Sequence, residues 1–308
     1  MTAPCPPPAA PAGPRLLRPG IFVSIYNDLS GARSLPILVD LLRHAASGDL
    51  GVAIHDPPSE DDAALSRAVR AAGLRLIYGW GTDPDARRTV RDAAATTRRR
   101  ARLAADRDAE AVELNGEAAW KASGLDAHAR EMLAACREGA PGLPVGWSYF
   151  DGPDSHEMPA ARVIYGPGGV DYSAPQIYAR DPGAPGLEDH RDARRRWDRA
   201  VTQHLAMVRR GIYRPELVPG EPGCAVYAQL HGCTAGCVAW LLDRSAVSRG
   251  WAIPTRSDAE GLRGVAAVLT ARRECGSAPG AIARWQAAHG LTADGVAGPM
   301  ALGAMGLA

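Results

Sequence analysis

Lysine is almost missing from this sequence. Of its 35 basic residues only Lys121 is a lysine, and 34 acidic residues bring the formal net charge to +1. No global field therefore points to nucleic acid or to an anionic membrane surface. The arginine clusters, Arg98 to Arg100 and Arg194 to Arg196, lie in helical runs with interspersed aspartate and read as solvated outer faces. No apolar run is long enough to span a bilayer. The opening stretch MTAPCPPPAAPAGPRLLRPG has no basic start followed by an apolar segment, so no secretory signal is expected. Its prolines make a semi-extended arm. Cys233 and Cys237 do not have a zinc-ligand spacing, and His55, His156 and His231 lie on different elements, so neither metal nor cofactor is expected. The six cysteines read as reduced, mostly buried thiols. A Gly-x-Ser-x-Gly elbow is missing, which counts against a hydrolase of that type.

What is present is an ordinary globular composition, 46% hydrophobic and 22% charged over 308 residues. Apolar strand-like runs alternate with helical ones. The strands read Gly20 to Asp28, Leu50 to Asp56, Leu74 to Trp80, a run around Glu113, Leu143 to Gly152, Val170 to Asp181, Gly223 to Gly232 and Trp251 to Pro254. A helical run stands between each pair, including a continuous one from Ala118 to Glu138. Eight such alternations over about 250 residues predict an α/β fold, a (β/α)8 TIM barrel, spanning residues 20–275. Residues 1–19 form the arm, and residues 276–308 a small helical appendage. A doubly wound open sheet would show a glycine-rich phosphate turn after its first strand, where this chain reads YNDLSG.

The most informative stretch is AEAVELNGEAAWK, Ala109 to Lys121. Ala111, Glu113 and Asn115 alternate with Val112 and Leu114, so a carboxylate and an amide share one face at the carboxyl end of a strand. In a barrel that end carries the chemistry. Polar and aromatic residues collect at the other strand ends too, among them Asp28, Asp56, Trp80, Tyr149, Asp151, Gln176, Tyr178, Gln229 and His231.

The tail, ARWQAAHGLTADGVAGPMALGAMG, is similar to the second half of the helical peptidoglycan-binding module of bacterial wall hydrolases. The matching positions are Trp285, Gln286, Gly290, Leu291, Asp294, Gly295, Gly298 and Leu302. That resemblance implies wall binding through Trp285, Gln286 and Asp294. The competing expectation is a helical hairpin packed on the barrel. The barrel more loosely resembles the barrel-type muramidases and related glycoside hydrolases, which carry Asp-x-Glu at the end of the fourth strand, the Glu serving as acid. Here the place reads Ala111-Val112-Glu113.

The resemblance implies a peptidoglycan hydrolase with Glu113 as proton donor and peptidoglycan or a related polysaccharide as partner. Because Ala111 replaces the family's Asp, a second carboxylate must come from elsewhere or be absent; among the candidates Asp28 and Glu117 rank first. Glycosidic cleavage commonly uses two carboxylates across the scissile bond, one of which keeps its proton. Asn115, Gln176 and Gln229 are candidate hydrogen-bonding residues for a sugar, and Trp80, Trp147, Tyr149 and Tyr178 candidate stacking surfaces. The other reading is a non-catalytic wall-binding or structural barrel of a phage-like particle. In either case, a protein made in the cytoplasm without a signal reaches the wall by lysis or by non-classical delivery.

Overall fold

A computed structural model describes residues 21–26, 50–55, 63–82, 84, 89–116, 118–150, 158–178, 195, 198–199, 202–214, 227–231, 235–244, 249–252, 259–276 and 280–307. Its strands are β1 (Ile21–Tyr26), β2 (Leu50–His55), β3 (Arg75–Gly81), β4 (Ala111–Asn115), β5 (Val145–Phe150), β6 (Tyr172–Tyr178), β7 (Tyr227–His231) and β8 (Arg249–Ala252). They form a closed barrel in sequence order, each parallel to the next, with β1 closing on β8 at Phe22–Trp251 and Val23–Ala252. The described helices are α1 (Ala63–Ala71), α2 (Val90–Asp106), α3 (Asp126–Gly139), α4 (Ala161–Tyr165), α5 (202–209), α6 (Ala235–Arg244), α7 (Ala259–Cys275), α8 (Ala281–Ala288) and α9 (Pro299–Ala304). None of them is long and apolar enough to cross a membrane.

Parallel strands covered by helices are buried on both faces, and each face has its own core. Inside the barrel, Phe22, Ala53, Ile77, Ala111, Tyr172 and Ala174 form a small apolar cluster. Outside, Val52, Leu76, Tyr78, Trp80, Val112, Leu114, Val145 and Trp147 belong to the larger core beneath the helices. Strand period two then assigns Ile77, Gly79 and Gly81 of β3, and Ala111, Glu113 and Asn115 of β4, to the interior.

Ion pairs and a buried cap finish the amino end of the barrel. Arg75 pairs with Glu110 at 2.7 Å and lies over the Phe22 ring, 4.8 Å from its centroid. Asp171 accepts from the Val145 amide at 2.9 Å and from Arg137 at 3.2 Å. On the outer surface α2 exposes Arg99, while Arg98 reaches Glu138 on α3 at 2.6 Å. Arg194 and Arg196 lie outside the described residues.

Two expectations change. The run from Ala118 is not one helix: a short 3-10 turn, Ala118–Lys121, ends before Gly124, whose φ of 80° takes the chain out of the helical path, and α3 begins at Asp126. The tail packs against the barrel's own helices. Asp243 of α6 accepts from the first two amides of α8, Ala281 at 2.8 Å and Ile282 at 3.1 Å, so a barrel side chain caps a tail helix. Trp285 is buried and donates to Glu274 of α7 at 2.6 Å, and His289 stacks on its ring at 3.9 Å. The amide of Gln286 donates to Asp294 at 2.8 Å and to the Val296 carbonyl at 3.0 Å. Its oxygen accepts from the Gly295 amide at 2.9 Å. Trp285, Gln286 and Asp294 thus spend their contacts inside the fold.

Candidate active site

Glu113 occupies the interior face of β4 near its carboxyl end and is 0% exposed. Among the described residues neither of its carboxylate oxygens has a hydrogen-bond partner. Burial alone pushes its pKa well above the ordinary 4.5. Burial favours the neutral acid, because ionisation there costs solvation that no hydrogen-bond donor among the described residues repays.

The register explains why no partner is near along the sheet. Glu113 pairs with Gly79 on β3 and with Gly146 on β5, so both lateral neighbours are glycines. On the β5 side the vacant place is filled from below: a β-carbon on Gly146 would run into the Tyr172 ring. The Tyr172 hydroxyl donates to the Val112 carbonyl at 3.0 Å, which fixes that ring. One step toward the mouth, Asn115 pairs with Gly81 on β3 and with Ser148 on β5. Asn115 is half-buried, and Ser148 is fully buried.

The strand end is pinned from both sides. The Thr82 amide and hydroxyl both donate to the Asn115 carbonyl, at 2.8 and 3.0 Å, and the Gly116 amide donates to the Ser148 carbonyl at 3.0 Å. Behind the sheet, Trp120 donates to the Thr82 carbonyl at 3.2 Å and meets Trp147 edge to face at 4.8 Å. Gly116 permits this packing, since a side chain there would strike Trp147.

This packing corrects two of the expected sugar-stacking residues. Trp80 is 1% exposed and Trp147 is 0% exposed, and both face the helices rather than the mouth. Their strand parity is opposite to that of Glu113. Tyr149, Gln176, Tyr178 and Gln229 lie on described strands, where Gln176 pairs with Gln229 and Tyr149 with Pro175, but their side chains lie outside the description. Asp28, Asp56, Glu117, Asp151 and Asp181 lie outside the described residues altogether, as does His156. Sequence reasoning missed Ser148, Tyr172, Gly79 and Gly81. Only the register brings them to Glu113 and Asn115; their spacing within the chain carries no such signal.

No family model matches the sequence, and no curated protein matches it. The fold does have a counterpart among solved structures. It is similar to a GH18 chitinase from Pseudoalteromonas aurantia, at TM-score 0.51 and 12% identity, over 80% of this chain and 99% of that one. Weaker likenesses include the spore cortex-lytic enzyme SleL of Bacillus megaterium (TM-score 0.41, 10% identity, 71% of this chain and 52% of that one). Tryptophan synthase of Mycobacterium tuberculosis is another (TM-score 0.45, 14% identity, 86% and 93%). At such identities the likeness is one of fold, and chemistry must be argued from the site.

Proposed function

We propose that this chain is a glycoside hydrolase acting on peptidoglycan or a related polysaccharide, with Glu113 as proton donor. The observation that carries the reading is the fully buried carboxyl group of Glu113 at the carboxyl end of a barrel strand, without a hydrogen-bond partner among the described residues and with its pKa raised by burial. A structural carboxylate in such a place would have recruited a cation or amide, as Glu110 and Asp171 do. A general acid instead needs its proton at neutral pH and its oxygens free for the leaving group. The similarity in fold to a chitinase agrees with a polysaccharide substrate.

In this mechanism Glu113 donates its proton to the glycosidic oxygen as the bond to the anomeric carbon breaks. Asn115, beside it at the mouth, hydrogen-bonds a sugar hydroxyl or acetamido group. The second carboxylate is assigned to Asp28 or Glu117, and cleavage between wall sugars is the muramidase-like form of the reaction. Any retention on the wall by the tail rests on its exposed face, because Trp285 and Gln286 are buried.

One observation favours a second reading, a binding barrel without catalysis. Ala111 stands where a partner acid would sit two residues before Glu113, and it is packed into the interior cluster. Release of reducing ends from purified peptidoglycan separates the two. The enzyme reading requires turnover by the wild type that Glu113→Gln slows by roughly 10²- to 10⁴-fold; binding without turnover in both supports the barrel as a receptor.

A further inference from the structure

Nothing among the described residues requires a glycine at position 81. Gly81 is the last residue of β3 and exposed, with a backbone outside the left-handed region. A β-carbon there would meet nothing within 4 Å among the described residues, whereas at Gly51, Gly116 and Gly146 it would strike an aromatic ring. Flexibility does not account for it either. The ladder to β4 continues past Gly81 through the two Thr82 bonds to Asn115, so the segment is held along its β4 side. Glycine inside a strand loses entropy on folding and adds no packing. A strand glycine with room for a β-carbon among the described residues is a place where a ligand or another backbone can approach closely.

The position identifies what approaches. Gly81 pairs with Asn115, and Gly79 pairs with Glu113, so β3 contributes no side chain beside the acid or the amide, and the open position of the two is Gly81. Beneath these positions lie Ile77, Ala53 and Ala111, an apolar floor. We propose that the bare end of β3 at Gly81 is the seat of the sugar ring whose glycosidic oxygen faces Glu113. Gly81 thereby acts as a specificity-determining residue, limiting the site to a ligand that lies flat against the strand. The seat rests on the glycosidase reading and names where within that site the ring lies.

The test uses the full chain and two soluble probes, the β-1,4-linked tetramer of N-acetylglucosamine and glycan fragments from purified peptidoglycan. Glu113→Gln is the background, so that no probe is consumed. Calorimetric Kd values are compared for Glu113→Gln alone and with Gly81→Ala or Gly81→Val added, alongside the Tm of each. The expected result is at least tenfold weaker binding with valine, an intermediate loss with alanine, and a Tm equal to or above the background. Equal affinities in all three overturn the seat and leave the glycosidase reading standing. Loss of the fold in both Gly81 variants also overturns it, by showing that the glycine serves the backbone. Binding of neither probe by the background protein overturns the glycan reading, and the seat falls with it.

Discussion

Two buried acids, Glu113 at the barrel mouth and Asp243 at the seam with the tail, answer the same cost in opposite ways. Burial raises the pKa of both. For Asp243 the amides of Ile282 and Ala281, and then Arg272 and Arg284, pull it back down. Its two oxygens take those two amides and end the first turn of α8. Glu113 has no counterpart to any of these partners among the described residues. An acid that serves the fold is satisfied by it, as Asp243 is. Under the proposed function the contrast assigns Glu113 to a ligand and Asp243 to the scaffold.

The sharpest way to break that contrast is to remove each carboxylate. Glu113→Gln should slow reducing-end release from peptidoglycan by roughly 10²- to 10⁴-fold, the usual contribution of a general acid, while leaving the protein folded. Equal turnover would reassign Glu113 to structure. At the seam the largest loss should be in stability. Trp285→Ala removes a buried indole and its bond to Glu274, and should cost about 3–5 kcal/mol in denaturant unfolding of the tail. If instead only wall retention fell, Trp285 would be a binding residue after all.

Asp243→Ala should be milder, about 1–3 kcal/mol, since it leaves two amides uncapped without a large void. Catalytic turnover should be unchanged, because this seam lies on the helices and not on the strand ends. A variant that lost activity with its fold intact would couple the two regions.

The smallest effect is a pH dependence, and its sign is fixed by the raised pKa. The folded state holds the Glu113 proton more tightly than the unfolded chain, whose glutamate titrates near 4.5. Wild-type stability from this group is therefore full below that pH and is lost as pH rises toward the folded pKa. Glu113→Gln carries no such proton. Its Tm advantage over the wild type should be negligible near pH 4 and should widen toward neutrality. A gap that narrowed with rising pH would mean that the carboxylate, not the acid, is stabilised in the fold.

Much of the scaffold was legible because strand and helix periods differ. The alternation along the chain matches the barrel order, and the alternation of Ala111, Glu113 and Asn115 with Val112 and Leu114 assigned β4 its two faces. Ends were less legible. The eighth strand, expected from Trp251 to Pro254, is Arg249–Ala252, since its limits follow pairing with β7 and β1 and not its own apolarity. Trp80 and Trp147 misled for a related reason. In a parallel barrel both strand faces are buried, so an aromatic at a strand end has no local mark of inside or outside.

By itself the sequence determined where the strands fall along the chain and that an acid and an amide share one face at the end of the fourth. Those properties are local, set by side-chain period and by the turn residues that close each run. Only the tertiary structure decided that Gly79 and Gly146 flank the acid, that no cation or amide among the described residues meets it, and that Tyr172 fills the space below. Those depend on the register between strands, up to 60 residues apart in the chain for the Tyr172 bond to Val112. A carboxyl group's charge state is set by what surrounds it in space, and chain order does not record that.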